Sequence, residues 1–212
     1  RGFRLFELDI LRTKDNYLVA VHDWNEWAIK SNYKGELPPT YQSFKSHKIY
    51  NKYTPLDMKL INKWFKKHQD TTLITDKINT PLIFSEKFID NDRLIMELFT
   101  WNAVREGIEN NINVMPTWNL ISLLGKDSSQ TVQDLNITMI SAPNGVIFKY
   151  PKLLKELAKF AKVYSFGTYG NSSERKIGKK DEVYVICNEL DYFYGIYADN
   201  WDFNYDNFCK DY

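Results

Sequence analysis

Residues 3–23 read FRLFELDILRTKDNYLVAVHD. The first half of this stretch is rich in strand-forming residues, and strand side chains alternate between two faces. Glu7 and Asp9 therefore lie on one face of a predicted strand. A polar turn follows, and a second short strand over 17–21 ends at His22. We interpret this second strand as an extension beside the first.

Further along the chain, short strand-like runs alternate with longer stretches of helical periodicity, which predicts an α/β fold. Six more strands are expected at 72–75, 93–98, 113–117, 137–141, 162–166 and 193–198, and helices at 54–68, 101–110 and 150–161. This pattern fits a β/α barrel or an open doubly wound sheet. No glycine-rich phosphate loop follows any of the strands, which counts against a nucleotide-binding doubly wound fold.

Local signals place the start of the first helix and the loops. Thr54 is expected to cap the helix, with Pro55 at its first position and Asp57 completing a capping box. Residues 24–53 are aromatic and polar without clear periodicity, so we expect a loop there. Residues 170–182 are expected to form a mobile surface loop.

Composition limits the class of protein. The 212 residues are 43% hydrophobic, enough for one core and a single domain over 1–212. A net charge of +1 gives no support to nucleic-acid binding. Cys187 and Cys209 are too few for a disulfide framework, and we expect two thiols. No apolar run reaches the ~18 residues of a transmembrane segment, so we expect a soluble protein, with the cytoplasm slightly favoured over periplasm or secretion. The oligomeric state stays open.

Polar side chains stand where the predicted strands end, which is where β/α barrels carry their chemistry. Glu7 and Asp9 close the first strand, His22 the second, and Asp76 the run 73–75. Three carboxylates at one rim would provide the oxygen ligands that Mg²⁺ or Ca²⁺ prefers. A histidine beside them could act as general acid or base.

The segments at 6–10, 13–15 and 18–23 together resemble the glycerophosphodiester phosphodiesterase family, within the PLC-like phosphodiesterase superfamily. In that family an acid-x-acid strand is followed by a Thr-Lys-Asp-Gly type turn and a strand that ends in His-Asp. The residues 194–199 are similar to the family's final strand. The resemblance implies a TIM-type barrel, one divalent cation and a pair of acid-base histidines.

The resemblance also assigns roles to individual residues. Glu7 and Asp9 match the acid-x-acid metal ligands, Asp76 the third ligand, and His22 the catalytic histidine of the His-Asp pair. Lys77 is the candidate for the family's substrate-binding lysine, although family members place that lysine two residues beyond the third ligand. Successive strand residues face opposite ways, so Lys77 reaches a phosphate only if the strand has ended or bulged there.

The family's other histidine belongs to a His-Arg-Gly type motif on the preceding barrel strand. This sequence opens inside a predicted strand, without an initiator methionine, so we expect seven of the eight strands. The N-terminal strand and helix, roughly 30–40 residues, would then be missing. From the chain as given we expect weak activity or none.

Other residues at strand ends have two interpretations. Trp118, Phe166 and Trp201 could form an apolar wall that binds substrate, or they could pack at the barrel rim. Glu97 lies inside an apolar run, where a charge needs a partner; Lys77, Arg93 and the metal site are the candidates.

The sequence therefore predicts metal-dependent hydrolysis of a small-molecule or lipid-derived phosphodiester. A non-catalytic phosphodiester- or glycan-binding barrel, which has lost the first histidine, is the alternative. In a third interpretation, the acids are ordinary surface residues of a doubly wound domain without enzymatic role.

Overall fold

The computed structural model describes residues 3–167 and 192–197 of the chain. It divides into two compact units, Arg1–Asn113 and Val114–Tyr212. The predicted loop 170–182, Trp201 and both cysteines lie outside the described residues. No helix within the described ranges is long and apolar enough to cross a membrane.

The first unit is built on a mixed sheet. Its strands are β1 (Leu5–Arg12), β2 (Leu18–Ala20), β3 (Leu56–Asp57), β4 (Thr72–Asp76) and β5 (Leu94–Leu98). They lie in the order β3-β2-β1-β4-β5, with β1, β4 and β5 parallel and the short β2 and β3 antiparallel. The pairing of β2 with the end of β1 confirms that the second strand extends beside the first.

Helices connect these strands. They are α1 (Trp24–Ser31), α2 (Tyr41–Ser46), α3 (Met58–Lys67), α4 (Pro81–Ser85) and α5 (Trp101–Glu109), with a 3₁₀ turn at Asn91–Arg93. The core lies along β4 and β5, where Leu73, Leu94 and Met96 have no exposed surface. Strands buried on both faces are typical of parallel sheets.

The expected loop over 24–53 is wrong, because α1 and α2 both lie in it. Asp23 caps α1 by accepting a hydrogen bond from the Glu26 amide, and Thr40 caps α2 through the Ser43 amide. The apolar residues of this segment pack on the hairpin instead of following one helical stripe. Val19, Val21, Trp27 and Phe44 form this separate core.

The predicted start of α3 is also wrong, by about one turn. Leu56 and Asp57 pair with β2, so the backbone stays extended past Thr54 and Pro55. Asp57 itself is the N-cap, and its Oδ1 accepts from the Leu60 amide at 2.8 Å. The helix ends before His68, as predicted.

The second unit holds a three-stranded parallel sheet. Its elements are α6 (Trp118–Ser122), a 3₁₀ turn at Gly125–Asp127, α7 (Ser128–Asp134), β7 (Met139–Pro143), α8 (Val146–Lys149), α9 (Pro151–Leu157), β8 (Lys162–Phe166) and β9 (Gly195–Ile196). The sheet order is β7-β8-β9. The strand β6 (Asn113–Pro116) begins at the last residue of the first unit. All seven strands predicted for the barrel are strands in the structure.

Candidate active site

Three carboxylates come together where the parallel pairing of β1 with β4 ends; Glu7 and Asp9 do not close the strand as predicted, because β1 continues to Arg12 and pairs there with β2. Asp9 and Asp76 are register partners on these parallel strands, and Glu7 lies two residues earlier on the same face as Asp9. One oxygen from each of the three carboxylates lies within 4.8 Å of the others. We call Glu7, Asp9 and Asp76 the acid cluster. The structure places these predicted ligands in one group.

The electrostatics of the acid cluster are unfavourable without a cation. Desolvation raises the pKa of Glu7 from 4.5 to about 8, with Asp9, Asp76 and Glu97 adding to the rise and Lys77 opposing it. Glu7 is nevertheless exposed as a whole residue, so solvent screening reduces the effect of this shift on stability. Burial also raises the pKa of Asp76. Closely spaced carboxylates of this kind fit a hard divalent cation such as Mg²⁺ or Ca²⁺.

Lys77 turns back onto the acid cluster. The strand β4 ends at Asp76, and Lys77 has a left-handed backbone with φ 65°. Its Nζ lies 3.4 Å from Asp9 Oδ1 and donates to the carbonyl oxygen of His22. The Lys77 amide donates to Asp76 Oδ1. The strand has therefore ended before Lys77, which is the condition under which Lys77 could reach a bound phosphate. Its ammonium group lies at the acid cluster.

His22 is tied to the cluster by its backbone, while its side chain is exposed. The preceding residue, Val21, donates its amide to the Asp9 carbonyl at 2.9 Å, which fixes the end of the hairpin beside β1. The imidazole is 66% exposed, and its Nδ1 lies 3.4 Å from Glu26 Oε2. Sequence reasoning missed Glu26. The sequence feature that could have predicted this contact is the i,i+4 spacing of His22 and Glu26 across the start of α1.

Glu97 belongs electrostatically with the acid cluster. Only 6% of the residue is exposed, and its charge raises the pKa of Glu7. Of the candidate partners, Arg93 directs its guanidinium to Asp90 and to backbone carbonyls at the end of α3. The structure therefore favours the acid cluster, and not Arg93, as the site with which the Glu97 carboxylate interacts.

Two of the three predicted aromatic residues, Trp118 and Phe166, lie in the second unit. Trp118 opens α6, is 3% exposed and packs at a tilt against Tyr150, 6.0 Å between ring centroids. Phe166 ends β8 and meets Tyr197 edge-on at 6.4 Å. Trp201 is outside the described residues. A substrate wall made by these residues stays a prediction, and the burial of Trp118 favours packing.

An apolar groove lies between β1 and α3. It encloses about 530 Å³ and is lined by residues that include Phe6, Leu8, Leu60 and Trp64. Residues 5–9 of β1 pair with β4 on one edge, whereas β2 pairs only with Ile10–Arg12 on the other. Within residues 3–167 and 192–197, the first half of β1 therefore has one unpaired edge beside this groove.

Comparison with known proteins supports the fold. No protein-family model and no curated protein matches this chain. A glycerophosphodiester phosphodiesterase from Parabacteroides distasonis has a TM-score of 0.60 at 18% identity, over 90% of this chain and 77% of its own. The enzyme of the same description from Thermotoga maritima has a TM-score of 0.59 at 16% identity, over 90% of this chain and 79% of its own.

A phosphodiesterase from Oleispira antarctica, solved with its product sn-glycerol-3-phosphate, is also similar. It has a TM-score of 0.58 at 13% identity, over 85% of this chain and 78% of its own. The chain thus has the α/β fold of phosphodiesterases. More particularly, the solved structures that it resembles are glycerophosphodiester phosphodiesterases, which are TIM-type barrels as the sequence predicted; residues 3–167 and 192–197 show an α/β fold with parallel strands and no closed barrel.

Proposed function

We propose that this protein is a metal-dependent phosphodiesterase that hydrolyses a glycerophosphodiester-like substrate. One observation supports the proposal: Glu7, Asp9 and Asp76 converge where the parallel pairing of β1 with β4 ends, in a fold similar to that of such enzymes. Surface acids of a domain without enzymatic role would not need this convergence.

The acid cluster would hold one divalent cation, Mg²⁺ or Ca²⁺. When bound, the cation neutralises charge that develops on the phosphate and lowers the pKa of an attacking hydroxyl or water. Lys77 would bind a non-bridging phosphate oxygen, because its ammonium already lies beside Asp9. This arrangement would put two positively charged groups, the cation and Lys77, where an anionic diester must bind.

His22 would transfer a proton to or from the oxygen that attacks or leaves. Its exposed imidazole leaves room for a substrate, and Glu26 beside Nδ1 would orient the ring. Lys77 holds the His22 carbonyl, so the proton-transfer group and the anion-binding group are connected through one contact.

We further propose that a parallel strand and a helix complete the barrel on the unpaired edge of β1 and supply the second histidine. The groove between β1 and α3 supports this idea, since it offers an apolar surface of the kind that a barrel helix covers. Loss of one acid-base group typically lowers the rate by ~10²–10⁴. Residues 1–212 alone are therefore expected to be weakly active or inactive.

The substrate class follows from the same resemblance and from the glycerol phosphate bound to the Oleispira antarctica phosphodiesterase. We propose a small or lipid-derived diester of glycerol phosphate. The leaving alcohol is left open.

The test is hydrolysis of glycerophosphocholine by the polypeptide with its upstream segment, assayed in EDTA, Mg²⁺ or Ca²⁺. We expect turnover only with a divalent cation. Residues 1–212 should bind the same cation with little turnover. Cation binding without turnover in the longer polypeptide would contradict the enzyme and favour the phosphodiester-binding barrel.

A further inference from the structure

A tight turn over residues 48–53 displays two tyrosines to solvent; we call it the tyrosine turn. Ile49 and Tyr53 pair antiparallel, with hydrogen bonds of 2.9 Å in both directions. Between them the chain reverses through Tyr50 and Asn51. Tyr50 is 61% exposed and Tyr53 is 54% exposed, so their rings are not needed to fill a core.

The backbone of the tyrosine turn is strained at its tip. Tyr50 has φ 53° and Asn51 has φ 56°, both in the left-handed region. Asparagine tolerates that region, whereas for tyrosine it costs roughly 1–2 kcal/mol. A 2.6 Å hydrogen bond from the Tyr50 amide to the Lys30 carbonyl holds the turn against the end of α1. The turn keeps this strain at Tyr50 while the Tyr50 ring stays exposed, which indicates a role for the ring at the surface.

Apolar and basic side chains surround the two rings. Ile29, on the last turn of α1, is 77% exposed. Lys30 Nζ lies 6.0 Å from the Tyr50 ring centroid, and Lys52 Nζ lies 5.0 Å from that of Tyr53. The surface therefore combines an aliphatic side chain, two amphipathic rings and lysines.

We propose that the tyrosine turn and the end of α1 bind an anionic phospholipid membrane surface. Tyrosine rings partition to the boundary between headgroups and acyl chains, where both the ring and the hydroxyl are accommodated. Lys52 beside Tyr53 is attracted to anionic headgroups, whereas the charge of Lys30 is paired with Glu26 at 2.5 Å. Ile29 distinguishes a membrane from a soluble polyanion, because an isoleucine side chain gains from hydrocarbon and offers nothing to a charged polymer.

The position of this surface connects it to the candidate active site. The helix α1 begins two residues after His22, and its eight residues span ~12 Å. Docking at the far end of α1 would bring headgroups to within about one short helix of His22. The inference does not need the proposed hydrolysis, since it rests on exposure, charge and strain in residues 29–53.

Co-sedimentation with vesicles tests the proposal, using the full chain at low salt. We expect binding to phosphatidylcholine vesicles that contain phosphatidylglycerol, and weaker binding to phosphatidylcholine alone. The double variant Tyr50→Ser/Tyr53→Ser and the single variant Ile29→Ser should each weaken binding by about tenfold. Leu123→Ser is the matched control, because Leu123 is 83% exposed and belongs to the other unit. Vesicle binding of this variant should equal that of the unaltered chain.

Absence of vesicle binding by the unaltered chain would overturn the proposal. Equal loss of binding in Leu123→Ser would also overturn it, as would binding to heparin that Ile29→Ser leaves intact, which would assign the surface to a charged polymer. The Tm shift produced by Mg²⁺ or Ca²⁺, measured in the same variants, should be unchanged. That assay separates failure of the membrane surface from failure of the proposed function.

Discussion

Asp9 and Asp76 are register partners on adjacent parallel strands, and they form the last pair of the β1–β4 ladder. Parallel partners lie about 4.8 Å apart, so two ionised carboxylates in these positions repel each other unless a cation or a proton lies between them. Lys77 provides one positive charge, 3.4 Å from Asp9. One lysine does not balance three acids, and this imbalance underlies the first predictions.

Replacing Asp9 by alanine should abolish stabilisation by divalent cations. In the unaltered protein, a cation at about 100 times its dissociation constant adds roughly 2.7 kcal/mol to the free energy of unfolding, or about 5–10 °C in Tm. Thermal unfolding in EDTA, Mg²⁺ and Ca²⁺ measures the shift. Asp70→Ala is the control, because Asp70 forms an exposed ion pair with Arg4. An unchanged cation shift in Asp9→Ala would place the ion elsewhere.

Replacing Glu7 by glutamine should stabilise the cation-free protein at alkaline pH. The folded pKa of about 8 lies above the ordinary 4.5, so Glu7 lowers the free energy of unfolding as pH rises from 4.5 through 8. In EDTA we expect Glu7→Gln to raise Tm by a few degrees at pH 9 and to leave it nearly unchanged at pH 4. A gain of equal size at both pH values would contradict the raised pKa.

His22→Ala should lower turnover by at least about 10²-fold in a polypeptide that carries the proposed additional strand and second histidine, while cation binding persists. The acid cluster does not use the imidazole, so the Tm shift with Mg²⁺ should remain. His68→Ala is the matched control, since His68 stacks on Trp64 with ring centroids 4.0 Å apart at the end of α3. A binding module would instead show weaker affinity for the phosphodiester in His22→Ala, and neither this variant nor the unaltered protein would show turnover.

Asp57 should be a stabilising residue whose contribution depends on pH. Burial raises its pKa, but hydrogen bonds from Lys45, Tyr41 and the Leu60 amide outweigh burial and leave the pKa below the ordinary 3.8. Its contribution is therefore present above pH 3.8 and is lost as pH falls through the lower folded pKa. Asp57→Ala should cost about 2–3 kcal/mol at pH 7, through the lost helix cap and the lost charged hydrogen bonds.

Urea unfolding at pH 7 and pH 3 measures this effect. Asp57→Asn retains a capping oxygen and removes the charge, so its cost should be smaller and should decrease at low pH. A cost for Asp57→Asn that is the same at both pH values would show that the ion pair with Lys45, 2.6 Å in length, contributes nothing.

The acid cluster could be predicted from sequence because its geometry depends on short-range rules. Period-two alternation fixes Glu7 and Asp9 on one face, and adjacent parallel strands bring Asp76 to the same end. The contact of Lys77 with Asp9 could be stated only as a condition, because a left-handed backbone at a lysine has no sequence signature.

The errors arose where tertiary contacts decide the structure. Asp57 pairs with Val19 of the hairpin, and this pairing overrides the capping signal at Thr54. The apolar residues of 24–53 pack into a core that both helices share with the hairpin. Neither helix therefore shows a periodic apolar stripe of its own. Glu26 was missed because its contact with His22 forms only when Asp23 starts α1 between them.

The separate core of residues 24–53 has a consequence for how such a chain can change over evolution. Trp27 and Phe44 stack at 5.4 Å and pack on Val19 and Val21, not on the buried residues of β4 and β5. Insertions, deletions and substitutions in this segment can therefore accumulate without altering the spacing of the three acids. Residues 24–53 are therefore where sequence changes that suit a new substrate or a new cellular location are best tolerated. This segment lies within one helix of His22.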